Sequence, residues 1–263
     1  MQAVLMVGGR GERLRAVSGG LPKPLVSVAG RPLLAWTLEG LQNRGFKHVT
    51  LCVGPSAEPF TKFLETSRGI ALQQGMQITL LEEPEPLGTI GAWLLTNLDP
   101  NTPCYIQNGD VLTSLDPRAF IEEHLKNGAN WTIAAHEAVL HTRFGELLTH
   151  ADGTLLEYRE KPVHRWSFSS GIYVVDANLQ DLLHKHPQLA RQPLPDLLQA
   201  LAQRGKKVRV AKHQALWLDI NDPDDLHIAE RELSIELQQA VVGNAAGPDP
   251  GRATRFGERG WSF

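Results

Sequence analysis

Ala3-Val4-Leu5-Met6-Val7-Gly8-Gly9-Arg10-Gly11-Glu12-Arg13-Leu14-Arg15 decides how the rest of the chain is read. The apolar run Ala3 to Val7 reads as a short buried strand. Gly8, Gly9 and Gly11 follow within four positions. Lacking Cβ atoms, they let the backbone approach an anion closely, with N–H groups free to point at phosphate oxygens. Arg10, Arg13 and Arg15 add charge. Lys23 comes soon after, between Pro22 and Pro24, which fix its backbone. Such a loop suits a triphosphate. It is not a Walker loop, which ends in Gly-Lys-Ser/Thr. It is not a dinucleotide fingerprint either, because Leu14 stands where a third Gly or Ala is needed.

Outward from this loop, strands and helices alternate. Leu33, Leu34, Leu38 and Leu41 form a helical stripe, with Pro32 expected in its first turn and Gly45 as its stop. Val49 to Gly54 reads as a strand, Ala57 to Glu65 as a helix, and Met76 to Leu81 as a strand ending at Glu82-Glu83-Pro84. Gly88-Thr89-Ile90-Gly91-Ala92 is expected to open a helix through Leu98. Pro103 to Gln107 is a strand running into Asn108-Gly109-Asp110, Ala119 to Lys126 a helix, and Trp131 to Ala135 a strand. Alternation of this kind predicts an α/β fold with a parallel sheet and helices on both faces. Ligands of such sheets bind beyond the carboxyl ends of the strands. The glycine loop, Glu83 and Asp110 all fall at such ends.

From about Phe144 the pattern changes to a mixed-sheet extension. Gly145 to Thr149 and Leu155 to Tyr158 flank the hairpin signal Asp152-Gly153. Glu160-Lys161-Pro162 and the strand Phe168 to Val175 follow. Leu194 to Gln203 is a helix; Val208 to Ala211 and Leu216 to Ile220 are strands. Asp222, as N-cap, starts a last helix to about Val241. Residues 1–240 are expected to form the catalytic domain. Residues 241–263 are expected to form a disordered, linker-like tail.

The 263 residues fit one large domain, and a formal charge of −3 gives no signature of nucleic-acid binding. Met1 to Val7 is too short for a signal peptide, and no apolar run reaches membrane-spanning length. Cys52 and Cys104 lie in predicted strands and read as buried free thiols, which fits a cytoplasmic protein. The ten histidines show no metal-ligand spacing. Neither a membrane nor a nucleic-acid partner is expected; a homo-oligomer is compatible with the composition.

Certain residue types suit specific chemistry. Asp110 ends a strand facing the glycine loop, a fitting place for a Mg²⁺ carboxylate. Mg²⁺ takes only one or two protein carboxylates beside waters and phosphate oxygens. Asp219, ending the apolar run Ala215 to Leu218, is the candidate second ligand. Glu83 bears on the base: guanine presents two donors on one edge, which one carboxylate can accept as a bidentate pair. Glu82 competes for that role. Lys161 is a compact charge for a phosphate monoester, and Glu160 could accept hydrogen bonds from sugar hydroxyls. Trp93 and Trp217 read as core, and Trp166 as a cover for substrate.

Taken in order, these motifs resemble the nucleoside-diphosphate-sugar pyrophosphorylases, the sugar-1-phosphate nucleotidylyltransferases. The resemblance rests on Gly8 to Leu14 with Pro22-Lys23-Pro24-Leu25, then Glu83 to Thr89 and Asn108-Gly109-Asp110. It continues through Phe144-Gly145, Glu160-Lys161-Pro162, Ser170-Gly171-Ile172-Tyr173 and Trp217-Leu218-Asp219-Ile220, and covers roughly residues 2 to 235. It implies a Rossmann-like, GT-A-like nucleotidyltransferase fold with a mixed, mostly parallel sheet. It also implies Mg²⁺ and the reaction of an NTP with a sugar 1-phosphate, giving an NDP-sugar and pyrophosphate. By position, Val7, Gly8, Gly9, Gly11, Glu83, Gly88 and Thr89 would bind the nucleotide. Arg13 would stabilise the pyrophosphate, and Lys23 would contact phosphate at the reacting centre. Asp110 and Asp219 would hold Mg²⁺. Asn108, Gly109, Gly145, Glu160, Lys161 and Ser169 would hold the sugar phosphate. The likeness is greatest to the mannose-1-phosphate and D-glycero-α-D-manno-heptose-1-phosphate guanylyltransferase branch, so GTP is the expected donor. A uridylyl- or thymidylyltransferase, or a regulatory protein that binds nucleotide sugars without turnover, would use the same motifs.

Two departures stand out. The family often has Asn near Ser169, which widens the expected substrates to sugar-like cyclitol phosphates. It often has Ile-Gly-Thr-Pro in place of Ile220-Asn221-Asp222-Pro223, read here as a change of turn more than of chemistry. No hexapeptide repeat of the family's β-helix domain follows.

Overall fold

The computed structural model describes residues 1–9, 14, 19–84, 91–233, 238 and 241–243. Its framework is a seven-stranded sheet begun by β1 (Gln2–Met6). A small hairpin of β2 (Ser27–Val28) and β3 (Arg31–Pro32) precedes α1 (Leu33–Asn43). Pro32 is thus the last strand residue and the N-cap, not part of the first turn: its ψ of 141° is extended, and the helix begins one residue later. Next come β4 (His48–Gly54), α2 (Glu58–Leu64), α3 (Ser67–Gly75) and β5 (Gln77–Glu82). The helix expected from Gly88 is, over its described part, a 3-10 turn at Gly91–Leu95. Then follow β6 (Cys104–Asn108), β7 (Val111–Thr113), α4 (Pro117–Lys126), β8 (Trp131–His141), β9 (Glu146–Thr149), β10 (Leu155–Arg159) and β11 (Val163–Val175). The chain continues through α5 (Leu179–Lys185), α6 (Pro187–Ala190), α7 (Leu194–Gln203), β12 (Val208–His213), β13 (Trp217–Asp219) and α8 (Pro223–Glu232).

The sheet order is β12-β8-β11-β6-β1-β4-β5. All neighbours are parallel except β11, which runs antiparallel to both β6 and β8. Met6 lies opposite both Cys52 and Asn108, and Gly54 opposite Glu82. This register brings the segments after β1, β4, β5 and β6 to one edge of the sheet. β8 and β11 are both longer than their apolar patterns suggest. Their outer halves, from Ala135 paired with Ser169 to His141 paired with Val163, form an arm that runs on past the end of β6. Polar and apolar residues mix there because the outer half of β11 is largely exposed and that of β8 only half-buried, which is why the sequence pattern stops at Ala135.

Two cores sandwich the sheet. Ala3, Leu5 and Val7 alternate with Val4 along β1, as a period of two requires. The first three pack toward Leu34, Leu38 and Leu41 of α1 and Phe60 of α2, and Val4 toward Trp93, Leu183, Leu197 and Leu201. Cys52 and Cys104 are buried free thiols, as expected, and burial pushes the Cys52 thiol up to about 12. A third cluster joins Leu14, Val28, Trp36, Leu218 and Ile220 to Val241 and Val242. Gly40 of α1 makes room there: a Cβ would stand 2.7 Å from the Val241 carbonyl oxygen, which accepts from Arg44 at 2.9 Å. The helix begun at Asp222 stops at Glu232, with Leu233 as a non-helical C-cap, so it does not run unbroken to Val241.

Candidate active site

The prolines around Lys23 shape a single 3-10 turn, Lys23–Leu25, in which Leu25 N donates to the Pro22 carbonyl at 2.8 Å. The turn aims the lysine inward: its side chain is 10% exposed, so it is not a solvated loop residue. Its Nζ donates to Asp110 Oδ2 at 2.8 Å and to Asn221 Oδ1 at 2.7 Å.

Asp110 reaches this point because Gly109 lets β6 close onto β1. Gly109 N donates to the Met6 carbonyl at 2.8 Å, and a Cβ would stand 2.7 Å from Val7 Cγ1. Beside it, β13 pairs antiparallel with β7, setting Asp219 opposite Val111, and Ile220 N donates to the Asp110 carbonyl at 3.0 Å. The two carboxylates predicted as a pair are therefore neighbours. Burial, then the charge of Asp110, raises the Asp219 pKa. Asp110 Oδ1 is buried with no hydrogen-bond partner among the described residues. An orphaned carboxylate oxygen beside a second, electrostatically disfavoured carboxylate fits a Mg²⁺ ion that keeps its other positions for water and phosphate. Among the described residues no three His, Cys, Asp or Glu side chains gather to form a fuller metal cage.

The ends of β1, β4 and β5 make the next part of the edge. Val7 is buried, leaving only its backbone available to a ligand. Gly8 and Gly54 cross closely, and Gly54 has φ +70°. Glu83 N donates to the Gly54 carbonyl at 2.9 Å, and its Oε1 would lie 3.1 Å from a Cβ on Gly8. Glu82 turns elsewhere, accepting from Ala57 N at 2.8 Å. Of the two glutamates, Glu83 is the one beside Gly8. Among the described residues nothing lies within 4 Å of a Cβ built on Gly9. Arg13, Gly11, Gly88 and Thr89, with Arg10 and Arg15, lie outside the described residues.

Asn108 stands where the arm begins. Its Nδ2 would be 2.7 Å from a Cβ on Gly171, which has φ +67° and sits where the β8–β11 register slips between Ser169 and Tyr173. Asn108 Oδ1 is also buried without a partner among the described residues. Ser169 is exposed on this bulge, with Oγ 3.5 Å from the Tyr173 hydroxyl. Gly145, Glu160 and Lys161 lie farther out. Tyr158 fills the space a side chain at Gly145 would need and donates to Glu160 at 3.2 Å. Lys161, at φ +45°, pairs with Glu160 at 3.8 Å. Among the described residues no hydrogen bond or ion pair ties these two to Lys23 or Asp110.

Sequence reasoning missed two features. Asn221 reaches Lys23, which corrects its reading as a mere turn residue. The period of two carried on from β13 would have put it on the side of Asp219. The second is a polar cluster beneath the bulge. His213 Nε2 lies 2.8 Å from Ser170 Oγ, Trp217 Nε1 donates to the Ser170 carbonyl at 3.0 Å, and the His136 ring is 5.5 Å from that of His213. Trp217 packs half-buried against the main core, as expected, with its ring 5.3 Å from that of His136. Burial, then the neighbouring His136, pushes His213 down to about 4, so it is neutral.

The family model for nucleotidyl transferases matches residues 2–235. The chain belongs to the nucleotidyl transferase family. It is 30% identical over 233 residues to a mannose-1-phosphate guanyltransferase of Pichia angusta, covering 86% of this chain and 62% of the relative. It is 28% identical over 230 residues to the mannose-1-phosphate guanylyltransferase catalytic subunit beta of Drosophila melanogaster, covering 85% and 60%. The chain thus spans about three-fifths of the length of these curated relatives. Among solved structures, HddC from Yersinia pseudotuberculosis superposes with a TM-score of 0.62 at 24% identity, covering 89% of this chain and 99% of that one; HddC has also been solved with GMP-PN. The likeness establishes the nucleotidyltransferase fold expected from the motifs. Among the described residues of this family member, no helix is long and apolar enough to cross a membrane.

Proposed function

We propose that the protein transfers GMP from GTP to a sugar 1-phosphate, or a sugar-like cyclitol 1-phosphate, releasing pyrophosphate. One observation carries this reading: Lys23, Asp110 and Asp219 converge beside the glycine edge, with Lys23 Nζ 2.8 Å from Asp110 Oδ2. An oxygen of the sugar phosphate attacks the α-phosphorus in line. The new P–O bond forms as the bond to the bridging oxygen of pyrophosphate breaks, and that oxygen takes the electron pair. The attacking phosphate is already anionic, so no general base is required. Catalysis is positioning plus neutralisation of charge.

Each residue has a part in that scheme. Lys23 offsets the charge gathering where two anionic substrates meet. The Gly8-Gly9 backbone and Arg13 hold the triphosphate. Asp110 and Asp219 would hold Mg²⁺, which when bound neutralises phosphate charge and polarises the α-phosphoryl group. Glu83, beside Gly8, accepts the paired N–H donors of guanine. Asn108, Ser169 and the arm residues Gly145, Glu160 and Lys161 hold the sugar phosphate. The name of the Pichia relative and the GMP-PN in HddC favour guanine in the same sense.

The test is to incubate the protein with Mg²⁺, each NTP in turn and a panel of sugar and cyclitol 1-phosphates, and to measure pyrophosphate. Release with GTP above all other nucleotides is the expected result. Preference for UTP or dTTP would move the protein to another branch of the same chemistry. No release with any pair would leave the non-catalytic reading.

A further inference from the structure

We infer that Asn221 is a positioning residue that holds the Lys23 ammonium at the reacting centre. The inference rests on the proposed transferase reading and adds a residue to it. Lys23 Nζ lies 2.7 Å from Asn221 Oδ1 and 2.8 Å from Asp110 Oδ2, so two acceptors grip it. One acceptor is charged and has other work in the site, since its second oxygen is buried and unpartnered among the described residues. The other is neutral. When Asp110 is drawn into substrate binding, a lysine anchored only there would lose its single hydrogen bond and swing. Anchored also on Asn221, it keeps its place. The anchor does not cancel its charge, so the ammonium remains effective toward phosphate.

Asn221 is itself held. Its backbone N–H donates to Asp225 Oδ2 at 2.8 Å, and Asp222 N donates to the same oxygen at 3.2 Å. Asp222 in turn accepts from the N–H groups of Asp224 and Asp225, completing the capping box of α8. The helix start thus fixes the backbone from which the carboxamide extends. The amide orientation follows from the lysine, because only the carboxamide oxygen can accept from an ammonium. Asn221 therefore ties the lysine to the capped start of α8. The motif Ile-Gly-Thr-Pro, from which this chain departs at Ile220-Asn221-Asp222-Pro223, has glycine in the place of Asn221 and so no side chain there for such a link.

Asn221→Gly, Asn221→Ala and Asn221→Asp test the role, with circular dichroism and thermal unfolding to verify the fold of each. The first readout needs no activity: reductive methylation of lysines, followed by mass spectrometry of the Lys23 peptide. The wild type should protect Lys23. The Gly and Ala variants should label it several-fold faster, and the Asp variant, which keeps an acceptor oxygen, should restore protection. The second readout is turnover: kcat of the Gly and Ala variants should fall about ten- to a hundredfold, with KM for both substrates little changed. Wild-type labelling of Lys23 in the Gly and Ala variants overturns the inference, as does an effect confined to KM. A wild-type protein without turnover would instead sink the transferase reading, while the labelling contrast still decides whether Asn221 holds Lys23.

Discussion

Gly8 and Gly54 pass so closely at the ends of β1 and β4 that a Cβ on Gly8 would stand 2.6 Å from the Gly54 nitrogen and 2.9 Å from its Cα. Both obstacles are backbone, so neither can rotate away. Gly8→Ala should therefore destabilise the fold by about 1–3 kcal/mol and weaken GTP binding. Gly9→Ala is the control: among the described residues nothing lies within 4 Å of a Cβ there, so its stability should match wild type. Urea unfolding of both variants and a GTP titration would check the pair. Equal stability of the two would contradict the close crossing.

Asp110→Asn keeps an oxygen that can accept from Lys23 while removing the negative charge. Unfolding should be nearly unchanged and turnover should fall by about a hundredfold or more, the scale of losing one key electrostatic group. Stopped or coupled pyrophosphate assays, with urea melts alongside, separate the two effects. A fully active variant would refute the proposed metal role.

Much of the site is legible in sequence because its residues follow apolar strands. A parallel sheet collects strand ends, so Gly8, Glu83 and Asp110 must meet whatever the details of the helices. Asp219 is legible only as the end of a short apolar run; it reaches the site through β13, which pairs antiparallel with β7 outside the main sheet. What is not legible is set by tertiary contacts. The short helices α3, α5 and α6 have too little periodicity to announce themselves. The outer half of β11 is largely exposed and shows no alternation. The contact between His136 and His213 exists only because β12 lands beside β8, which no local pattern encodes. Asn221 was obscured by the stronger helix-start signal of Asp222-Pro223, which dominates any reading of that turn.

Glu83 and Glu82 form a built-in control for base selection. Glu82 is engaged by Ala57 N at 2.8 Å, whereas Glu83 faces Gly8. Glu83→Gln converts a double acceptor into a group with one acceptor and one donor end, so one guanine donor would be left facing an N–H. The ratio of kcat/KM for GTP over ATP should fall by about ten- to a hundredfold, matching ~1.5–3 kcal/mol for a hydrogen bond to a charged group. Glu82→Gln should leave the ratio unchanged. Steady-state kinetics with both nucleotides decides the matter, and a ratio that moves in the Glu82 variant alone would assign the base contact to the wrong glutamate.

His213 makes stability depend on pH in a direction fixed by its surroundings. Its folded pKa is pushed down to about 4 by burial first and by His136 second, against about 6.5 in an unfolded chain. Between these values the unfolded chain binds a proton that the folded one refuses. Stability is therefore full above pH 6.5 and is lost as pH falls toward 4. His136 and His124, both lowered chiefly by burial, act in the same sense. With allowance for partial solvent access, His213 should account for about 2 kcal/mol of that loss. His213→Gln keeps a partner for Ser170 Oγ, 2.8 Å away, but cannot titrate. Urea unfolding at pH 7 and pH 4.5 should show a smaller drop in the variant than in wild type, by about 1–2 kcal/mol. Carboxylates that protonate over the same range act equally on both proteins, so the difference isolates the imidazole. Identical drops would mean that His213 accepts a proton in the folded state.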